Sequence, residues 1–228
     1  MDREINLLRR YPKAKRNIRA RQESKAENRA IALQFGHEYF DGTREQGYGG
    51  YRYDGRWIPV AEDIVAHFGL KAGDRVLDVG CAKGFLVKDL MAVCPGLEVF
   101  GVDISDYAVL NCEPEVVGRL HHGDARKLPF PDASFQAVIS INTIHNLERA
   151  DCIIALREIE RLAPGRGYVQ VDAYRNPAER QLFEDWMLTA KTYGLPSDWC
   201  ALLAEAGYSG NYYWTILELD PQWIDDGK

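Results

Sequence analysis

The fold of this chain is decided by the ten residues 75–84, which read RVLDVGCAKG. The first five are largely aliphatic and predict a short buried strand. Gly80 and Gly84 let the backbone turn sharply and approach a ligand closely. The residues that follow predict a helix over 84–93, and a strand, a tight turn and a helix in this order begin a βαβ unit.

The same alternation continues along the chain. Further strands are predicted at 98–103, 119–122, 137–141, 167–173 and 212–219, and further helices at 60–68, 151–162, 177–192 and 197–206. Strands that alternate with helices of this length favour a parallel sheet. We therefore predict an α/β fold, a Rossmann-like doubly wound sheet of about seven strands with helices on both faces.

Two regions are expected. Residues 1–58 form an N-terminal extension, made of a basic arm (1–22), a helix (23–40) and a segment rich in glycine and aromatic residues (41–57). Residues 59–228 form the α/β domain, with a helical insertion at about 177–206.

Composition limits the classes of protein to which the chain can belong. With 228 residues and 46% apolar content, it can build one sizeable core. No stretch approaches the roughly 18 apolar residues that span a bilayer, and the charged N-terminus does not resemble a secretory signal. The five cysteines are scattered, without a C-x-x-C pair. We therefore expect reduced thiols and a cytoplasmic protein.

The charge is uneven. Residues 1–30 contain ten basic and four acidic side chains, a net charge of +6, whereas residues 31–228 carry −12. A basic arm on an acidic body could hold nucleic acid, a membrane surface or an anionic substrate. The alternative, which we favour, is that the arm docks on its own acidic body.

Two carboxylates end neighbouring strands. In an open parallel sheet, ligands bind at the carboxyl ends of the strands. Asp78 ends the first strand, and Asp103 ends the second, where it could accept hydrogen bonds from ribose hydroxyls. The chain lacks the G-x-x-x-x-G-K-[ST] loop and the G-x-G-x-x-G fingerprint, and Asp78 would repel a pyrophosphate. These features favour a ligand with an adenosine and an ammonium group.

Residues 78–84 resemble motif I of the class I S-adenosylmethionine-dependent methyltransferases. The resemblance runs from about residue 69 to 219 and includes the segments 102–105, 123–136, 158–167 and 199–208. Ala82 departs from the motif, since the family usually has glycine there. We expect a slightly altered loop that still binds the cofactor.

The resemblance implies S-adenosyl-L-methionine as cofactor and nine residues that bind it. These are Asp78, Gly80, Cys81 and Gly84 around the methionine part, Asp103 at the ribose, Ile104, Asp124 and Ala125 at the adenine, and Ser140 at the sulfonium. Ile141, next to Ser140, is also expected to face the sulfonium.

Two histidines are candidates for the catalytic base. His145 follows the predicted strand 137–141, where the family often places residues that face the substrate, and its ordinary pKa of about 6.5 suits proton transfer. The alternative is that His145 caps or packs under neighbouring elements. His37, in the N-terminal extension, is the second candidate.

The methyl acceptor is expected between two aromatic walls, because this family's core supplies no acceptor pocket and added segments usually do. One predicted wall is Tyr48, Tyr51, Tyr53, Arg56 and Trp57, and the other is Tyr174, Arg175, Trp186 and Tyr193. The extension would then act as a lid. Alternatively, about half of these aromatics only seal the extension onto the core. No metal site is predicted, since Asp124 and Asp172 are too few ligands.

The leading hypothesis is a methyltransferase that acts on oxygen or nitrogen of a small polar metabolite, such as a sugar or nucleotide-linked acceptor. The expected partners are a small molecule and a second copy of the chain, held through the arm, without membrane or nucleic acid. The alternatives are an RNA or protein methyltransferase that uses the basic arm, and a non-catalytic protein that binds adenosylmethionine. Against the first alternative, no Asn-Pro-Pro-Tyr motif follows strand 137–141.

Overall fold

The computed structural model describes residues 3–12 and 24–217. The helices are α1 (Lys25–Ala32), α2 (His37–Phe40), α3 (Ile58–Phe68), α4 (Phe85–Val93), α5 (Asp106–Leu110), α6 (Arg149–Leu162), α7 (Pro177–Trp186) and α8 (Pro196–Ala206). The strands are β1 (Arg75–Val79), β2 (Glu98–Asp103), β3 (Leu120–His122), β4 (Ala137–Ile141), β5 (Gly167–Ala173) and β6 (Asn211–Ile216).

The strands form one sheet in the order β3-β2-β1-β4-β5-β6, and every neighbouring pair is parallel. The order reverses between β1 and β4, so the carboxyl ends of these strands flank a crevice that suits a ligand. The predicted doubly wound α/β fold is confirmed. The count of about seven strands is one too high for the part of the chain that the structure describes, because a single strand follows α8 there.

Four strands match their predicted bounds, namely β1, β2, β4 and β5. They are covered on both faces and read as nearly continuous apolar runs. The predicted helix over 23–40 is wrong as one element, because it breaks between Ala32 and His37. Phe35 has a left-handed backbone there, with φ of 50°. The predicted helix over 177–192 ends at Trp186.

The core has two parts, one on each face of the sheet. Residues of α6 and α8 pack on one face, and residues of α3 and α4 pack on the other. Leu7 of the N-terminal arm is 5% exposed and belongs to the second part. The arm therefore contributes to the core of the domain.

Residues 3–12 of the basic arm lie along the edge of the sheet. The amide of Ile5 donates to the carbonyl of Tyr212 at 2.9 Å, and the amide of Tyr212 donates to the carbonyl of Arg3 at 3.0 Å. Arg9 and Arg10 both donate to the carboxylate of Asp63 on α3. This is the docked arrangement that we favour from the charge split. The basic residues at 13–21 lie outside the described residues, and a dimer held through the arm stays a prediction.

No helix within residues 3–12 and 24–217 combines the length and apolar character needed to cross a membrane. All five cysteines fall in this part of the chain, and their thiols are free.

We predict that Asp63→Asn destabilises the protein in a pH-dependent way. The hydrogen bond from Arg10, with Arg9 adding to it, lowers the pKa of Asp63. A carboxyl with a lowered folded-state pKa stabilises the fold above its unfolded pKa of about 4, and this contribution disappears as the pH falls through the folded-state pKa. Because the arginines are solvent-exposed, we expect a loss of only about 1 kcal/mol at pH 7.

Urea unfolding at pH 7 and in a series below pH 4 measures this difference. Glu62→Gln is the control, since Glu62 is exposed and, within the described residues, pairs with Arg10; it should change the free energy of unfolding less. An Asp63→Asn protein as stable as the parent at pH 7 would show that these contacts do not hold the arm.

Candidate functional site

A cavity of about 260 Å³ lies at the carboxyl edge of the sheet, beside the ends of β1, β2 and β4. Parallel strands bring their carboxyl ends to one edge, so residues far apart in sequence meet there. Seven of the nine predicted cofactor-binding residues line the cavity: Asp78, Gly80, Cys81, Asp103, Ile104, Asp124 and Ala125.

Asp78 places a buried carboxyl group against the cavity. The residue is 4% exposed. Burial raises the pKa of Asp78 to about 8, and the nearby charge of Asp103 adds to the effect. The described residues supply no hydrogen bond to this carboxyl, whereas Asp103 has two from backbone amides. A cationic group of a ligand is the partner that would compensate a carboxylate in this position.

Asp103 ties the turn after β1 to the end of β2. Its carboxylate accepts from the amide of Ala82 at 2.7 Å and from the amide of Ser105 at 2.8 Å. Burial raises the pKa of Asp103, and the backbone hydrogen bonds act in the opposite direction. The carboxylate therefore fixes two loops at the cavity.

Ala82 takes the conformation that glycine would favour at this point of the motif. Its φ is 49°, in the left-handed region, which costs a residue with a Cβ roughly 1–2 kcal/mol. The hydrogen bond from the amide of Ala82 to the carboxylate of Asp103 holds this conformation. Ala82 also belongs to a small apolar cluster with Phe40 and Ala108. The loop thus keeps a left-handed turn with alanine in place of glycine.

Asp124 has a partner in its own loop. The guanidinium of Arg126 donates to both carboxylate oxygens, at 2.6–3.0 Å, and this bond lowers the pKa of Asp124. Arg126 also reaches Asp151 at 2.9 Å. Asp124 therefore remains at the cavity as an ionised group, with part of its capacity to accept hydrogen bonds already used.

The structure does not bring Gly84 and Ser140 to the cavity. Gly84 precedes α4 with φ of 78°, and a Cβ there would lie 2.8 Å from Val116. Ser140 is fully buried, and its hydroxyl donates to the carbonyl of Val79 at 3.2 Å. Successive side chains of a strand point to opposite faces, and its neighbour Ile141, which is also expected to face the sulfonium, does line the cavity. For these two residues, the predicted cofactor contact does not agree with the geometry.

Neither predicted base lines the cavity. His145 is 5% exposed, and its Nδ1 accepts from the amide of Asp172 at 3.1 Å. That bond leaves the proton on Nε2, and burial lowers the pKa of His145. His37 is largely exposed and lies near Glu38 and the ring of Tyr107. The geometry supports a structural role for His145 better than the predicted catalytic one, which stays a prediction.

Three of the predicted acceptor-binding residues line the cavity: Tyr48, Tyr51 and Trp57. Tyr51 stacks on Phe85 of α4, with ring centroids 4.4 Å apart. This part of the extension therefore forms one wall of the cavity, as predicted for the aromatic segment.

The other predicted residues do not line the cavity, and four of them have partners elsewhere. Tyr53 donates its hydroxyl to Asp89 at 2.6 Å, and Arg56 pairs with Asp54. Arg175 pairs with Glu179, and the ring of Tyr174 packs on Tyr193. The arginines thus bind carboxylates close in sequence, which composition alone does not reveal. The predicted second wall is not part of this cavity.

Two groups of lining residues were not predicted from the sequence. The first is Leu33, Phe35, Tyr39 and Phe40 of the extension, and the second is Asn142, Thr143, Asn146, Leu147 and Lys191. Asn142 follows β4 directly, so its position at a strand end was a usable signal. The first group had none, because the break between α1 and α2 decides where these side chains point.

The extension is fastened to both sides of the cavity. On one side, the ammonium of Lys83 and the hydroxyl of Tyr107 both reach the Oδ2 of Asp41, at 2.5 and 2.6 Å. On the other side, the guanidinium of Arg29 donates to the carbonyl of Ala190 at 2.7 Å. Residues 29–41 therefore bridge the segment after β1 and the segment after α7.

Comparisons with known proteins agree with this geometry. A family model described as a methyltransferase domain matches residues 77–171. The chain is 31% identical to a demethylmenaquinone methyltransferase of Symbiobacterium thermophilum, over 66% of this chain and 62% of that protein. It is 27% identical to a 2-methyl-6-phytyl-1,4-hydroquinone methyltransferase of Synechocystis, over 81% of this chain and 68% of that protein.

The chain also matches a solved structure, that of the Haloferax volcanii Trm112 methyltransferase activator in complex with a proposed methyltransferase. The TM-score is 0.54 and the identity is 26%, and the match covers 66% of this chain and 67% of that chain. The chain spans between 26% and 62% of the length of the first four curated relatives.

Residues 77–171 thus match a methyltransferase domain, and the sheet has the fold of the class I S-adenosylmethionine-dependent methyltransferases. The residues present fit the family's cofactor. The buried carboxyl of Asp78 suits an ammonium group, and the exposed side chain of Ile104 offers an apolar face beside Asp103.

We predict that Asp78→Asn raises the stability of the ligand-free protein at alkaline pH. Because the folded-state pKa is about 8, well above the ordinary value of about 4, ionisation of Asp78 opposes folding. This cost grows as the pH rises from about 4 to 8. Thermal melts should show Asp78→Asn above the parent at pH 8 and equal to it near pH 4.

The same substitution should change how cofactor binding depends on pH. A ligand ammonium favours the ionised carboxylate, so the parent should bind S-adenosylhomocysteine more tightly as the pH rises from 6 to 8. Calorimetry in two buffers should show proton release, which Asp78→Asn should lack. Asp132→Asn, at an exposed carboxyl, should behave as the parent. Equal pH dependence in Asp78→Asn and the parent would contradict this assignment.

Proposed function

We propose that this chain transfers the methyl group of S-adenosylmethionine to a small molecule. The observation that carries the proposal is that one cavity of about 260 Å³ holds both groups of residues the reaction needs. Asp78 and Asp103 lie on its cofactor side, and Tyr48, Tyr51 and Trp57 form an aromatic wall. The extension fastened across the cavity favours a small acceptor over a folded macromolecule.

In this proposal, Asp78 holds the ammonium of the cofactor and Asp103 holds the ribose, while Ile104 packs on the adenine. Asp124 and Ala125 contact the adenine edge. The bound cofactor supplies an electrophilic methyl group on a sulfonium. The chain's own contribution is to orient the acceptor in line with that methyl group and to exclude water, which can lower the barrier by roughly 7–11 kcal/mol.

The lining residues point to an acceptor with a flat ring and polar substituents. Aromatic side chains offer apolar faces to a ring, and the amides of Asn142 and Asn146 can hold hydroxyl or amine groups. The relatives named above act on quinol-type rings by their names, which supports a ring-bearing metabolite. A sugar or nucleotide-linked acceptor fits the same wall, and methylation on oxygen or nitrogen fits both.

No observation favours the alternative of an RNA or protein substrate held by the basic arm. Within the described residues, Arg9 and Arg10 are bound to Asp63, and Arg3 donates to the carbonyl of Tyr208. These cations face the domain itself. A non-catalytic adenosylmethionine-binding protein would share the cofactor side and is distinguished by the absence of turnover.

Calorimetry with S-adenosylhomocysteine, followed by methyl transfer from labelled S-adenosylmethionine, tests the proposal. The acceptor panel should contain quinols, catechols, amino sugars and nucleosides, with unfractionated RNA as the comparison. We expect micromolar binding and turnover with at least one ring-bearing small molecule. Absence of binding would overturn the proposal, binding without turnover on any acceptor would indicate the non-catalytic alternative, and turnover on RNA alone would indicate the macromolecular one.

We expect His145→Ala to act mainly on stability. The substitution leaves the amide of Asp172 without its partner and opens a space in a buried region, which should cost about 1–3 kcal/mol. With the folded variant, the turnover rate should fall by less than tenfold. A catalytic base would instead contribute about 10²–10⁴-fold to that rate.

Unfolding curves and turnover rates are measured on the same samples. His121→Ala, at an exposed strand residue, is the control and should change neither quantity strongly. If His145→Ala slows turnover by about a hundredfold or more without loss of stability, His145 is the base after all.

A further inference from the structure

Phe35 has an unusual backbone conformation at the edge of the cavity. Its φ of 50° lies in the left-handed region, which is rare and strained for a bulky residue. Such strain persists only where surrounding contacts impose it, and it occurs preferentially at ligand sites. The conformation places Phe35 in the break between α1 and α2.

Hydrogen bonds connect Phe35 to the predicted ribose-binding residue through one intermediate. The hydroxyl of Ser105 donates to the carbonyl of Phe35 at 2.5 Å. The amide of Ser105 donates to the carboxylate of Asp103 at 2.8 Å, and its hydroxyl accepts from the amide of Ala108 at 3.0 Å. Ser105 therefore sets the position of Phe35 relative to Asp103.

Two side chains next to these bonds line the same cavity. Ile104 lies between Asp103 and Ser105 in the turn after β2, lines the cavity and is 51% exposed. Phe35 lines the same cavity, and its ring packs edge-on against Tyr39 at 5.3 Å. An aromatic ring and an exposed aliphatic side chain thus belong to one subsite beside a carboxylate.

We propose that Phe35 is a cofactor-binding residue that covers the nucleoside part of S-adenosylmethionine from the N-terminal extension, opposite Ile104. This inference rests on the proposed function. It assigns the extension a direct part in cofactor binding, in addition to its place beside the aromatic wall. Stacking of the adenine base on the ring of Phe35 would then help to stabilise the strained backbone conformation that places the ring there.

Phe35→Gly tests the proposal, because glycine adopts a φ of 50° without cost while the ring is lost. The ligands are S-adenosylhomocysteine and 5′-methylthioadenosine, which keeps the nucleoside and lacks the amino-acid part. We expect both to bind at least about tenfold more weakly to Phe35→Gly, since stacking of a base on an aromatic ring contributes this much or more. Phe35→Tyr, which keeps the ring, should restore affinity.

Gln34→Gly is the matched control. It adds a glycine to the same break, at an exposed residue that does not line the cavity, and should bind both ligands as the parent does. Thermal melts of all variants separate lost packing from lost affinity. If Phe35→Gly is folded and binds both ligands within twofold of the parent, Phe35 only packs the extension and the proposal is overturned.

Three further outcomes are distinguishable. If Phe35→Gly does not fold, Phe35→Leu replaces it, and equal affinity of the leucine and tyrosine variants for 5′-methylthioadenosine overturns the proposal. If the parent itself binds neither ligand, the proposed function fails, and the inference fails with it. Weaker binding of S-adenosylhomocysteine with unchanged binding of 5′-methylthioadenosine would place Phe35 at the amino-acid part and also overturn the proposal.

Discussion

The carboxylate of Asp103 is the group on which the rest of the site depends. It accepts from the amides of Ala82 and Ser105, so one buried side chain fixes the turn after β1 and the turn after β2 at the same edge of the sheet. Ala82 keeps a left-handed backbone despite its Cβ because this bond and its packing hold it there. Through Ser105, the same carboxylate is connected to the extension at Phe35.

The N-terminal extension completes the cavity that the sheet begins. Lys83 lies in the turn after β1 and pairs with Asp41, and Tyr107 at the start of α5 donates to the same carboxylate. The turns that carry the predicted cofactor-binding residues thus also hold the segment that carries the aromatic wall of the cavity. The arm at 3–12 lies along β6 at the edge of the sheet. Asp63 on α3 binds two of its arginines.

Much of the fold was predictable because buried parallel strands are recognisable in a sequence as short apolar runs. The bounds of β1, β2, β4 and β5 followed from apolar runs that end in turns, and strand ends pointed to Asp78 and Asp103. The bounds of the helices on the surface of the extension are harder to predict from the sequence pattern. The run 23–40 has helical periodicity, but backbone strain at Phe35 divides it, and no local pattern indicates a conformation that Ser105, seventy residues away, imposes.

The sequence by itself determined the parallel sheet and the acidic residues at its carboxyl edge, since these depend on local periodicity and on residues at strand ends. Only the tertiary structure decided which polar side chains remain available to a ligand. Arg56 and Arg175 are bound to neighbouring carboxylates, Ser140 points away from the cavity, and the Nδ1 of His145 is occupied by the amide of Asp172. Each of these outcomes depends on which partner lies within about 3 Å once the chain is folded, and residue type alone does not specify that partner.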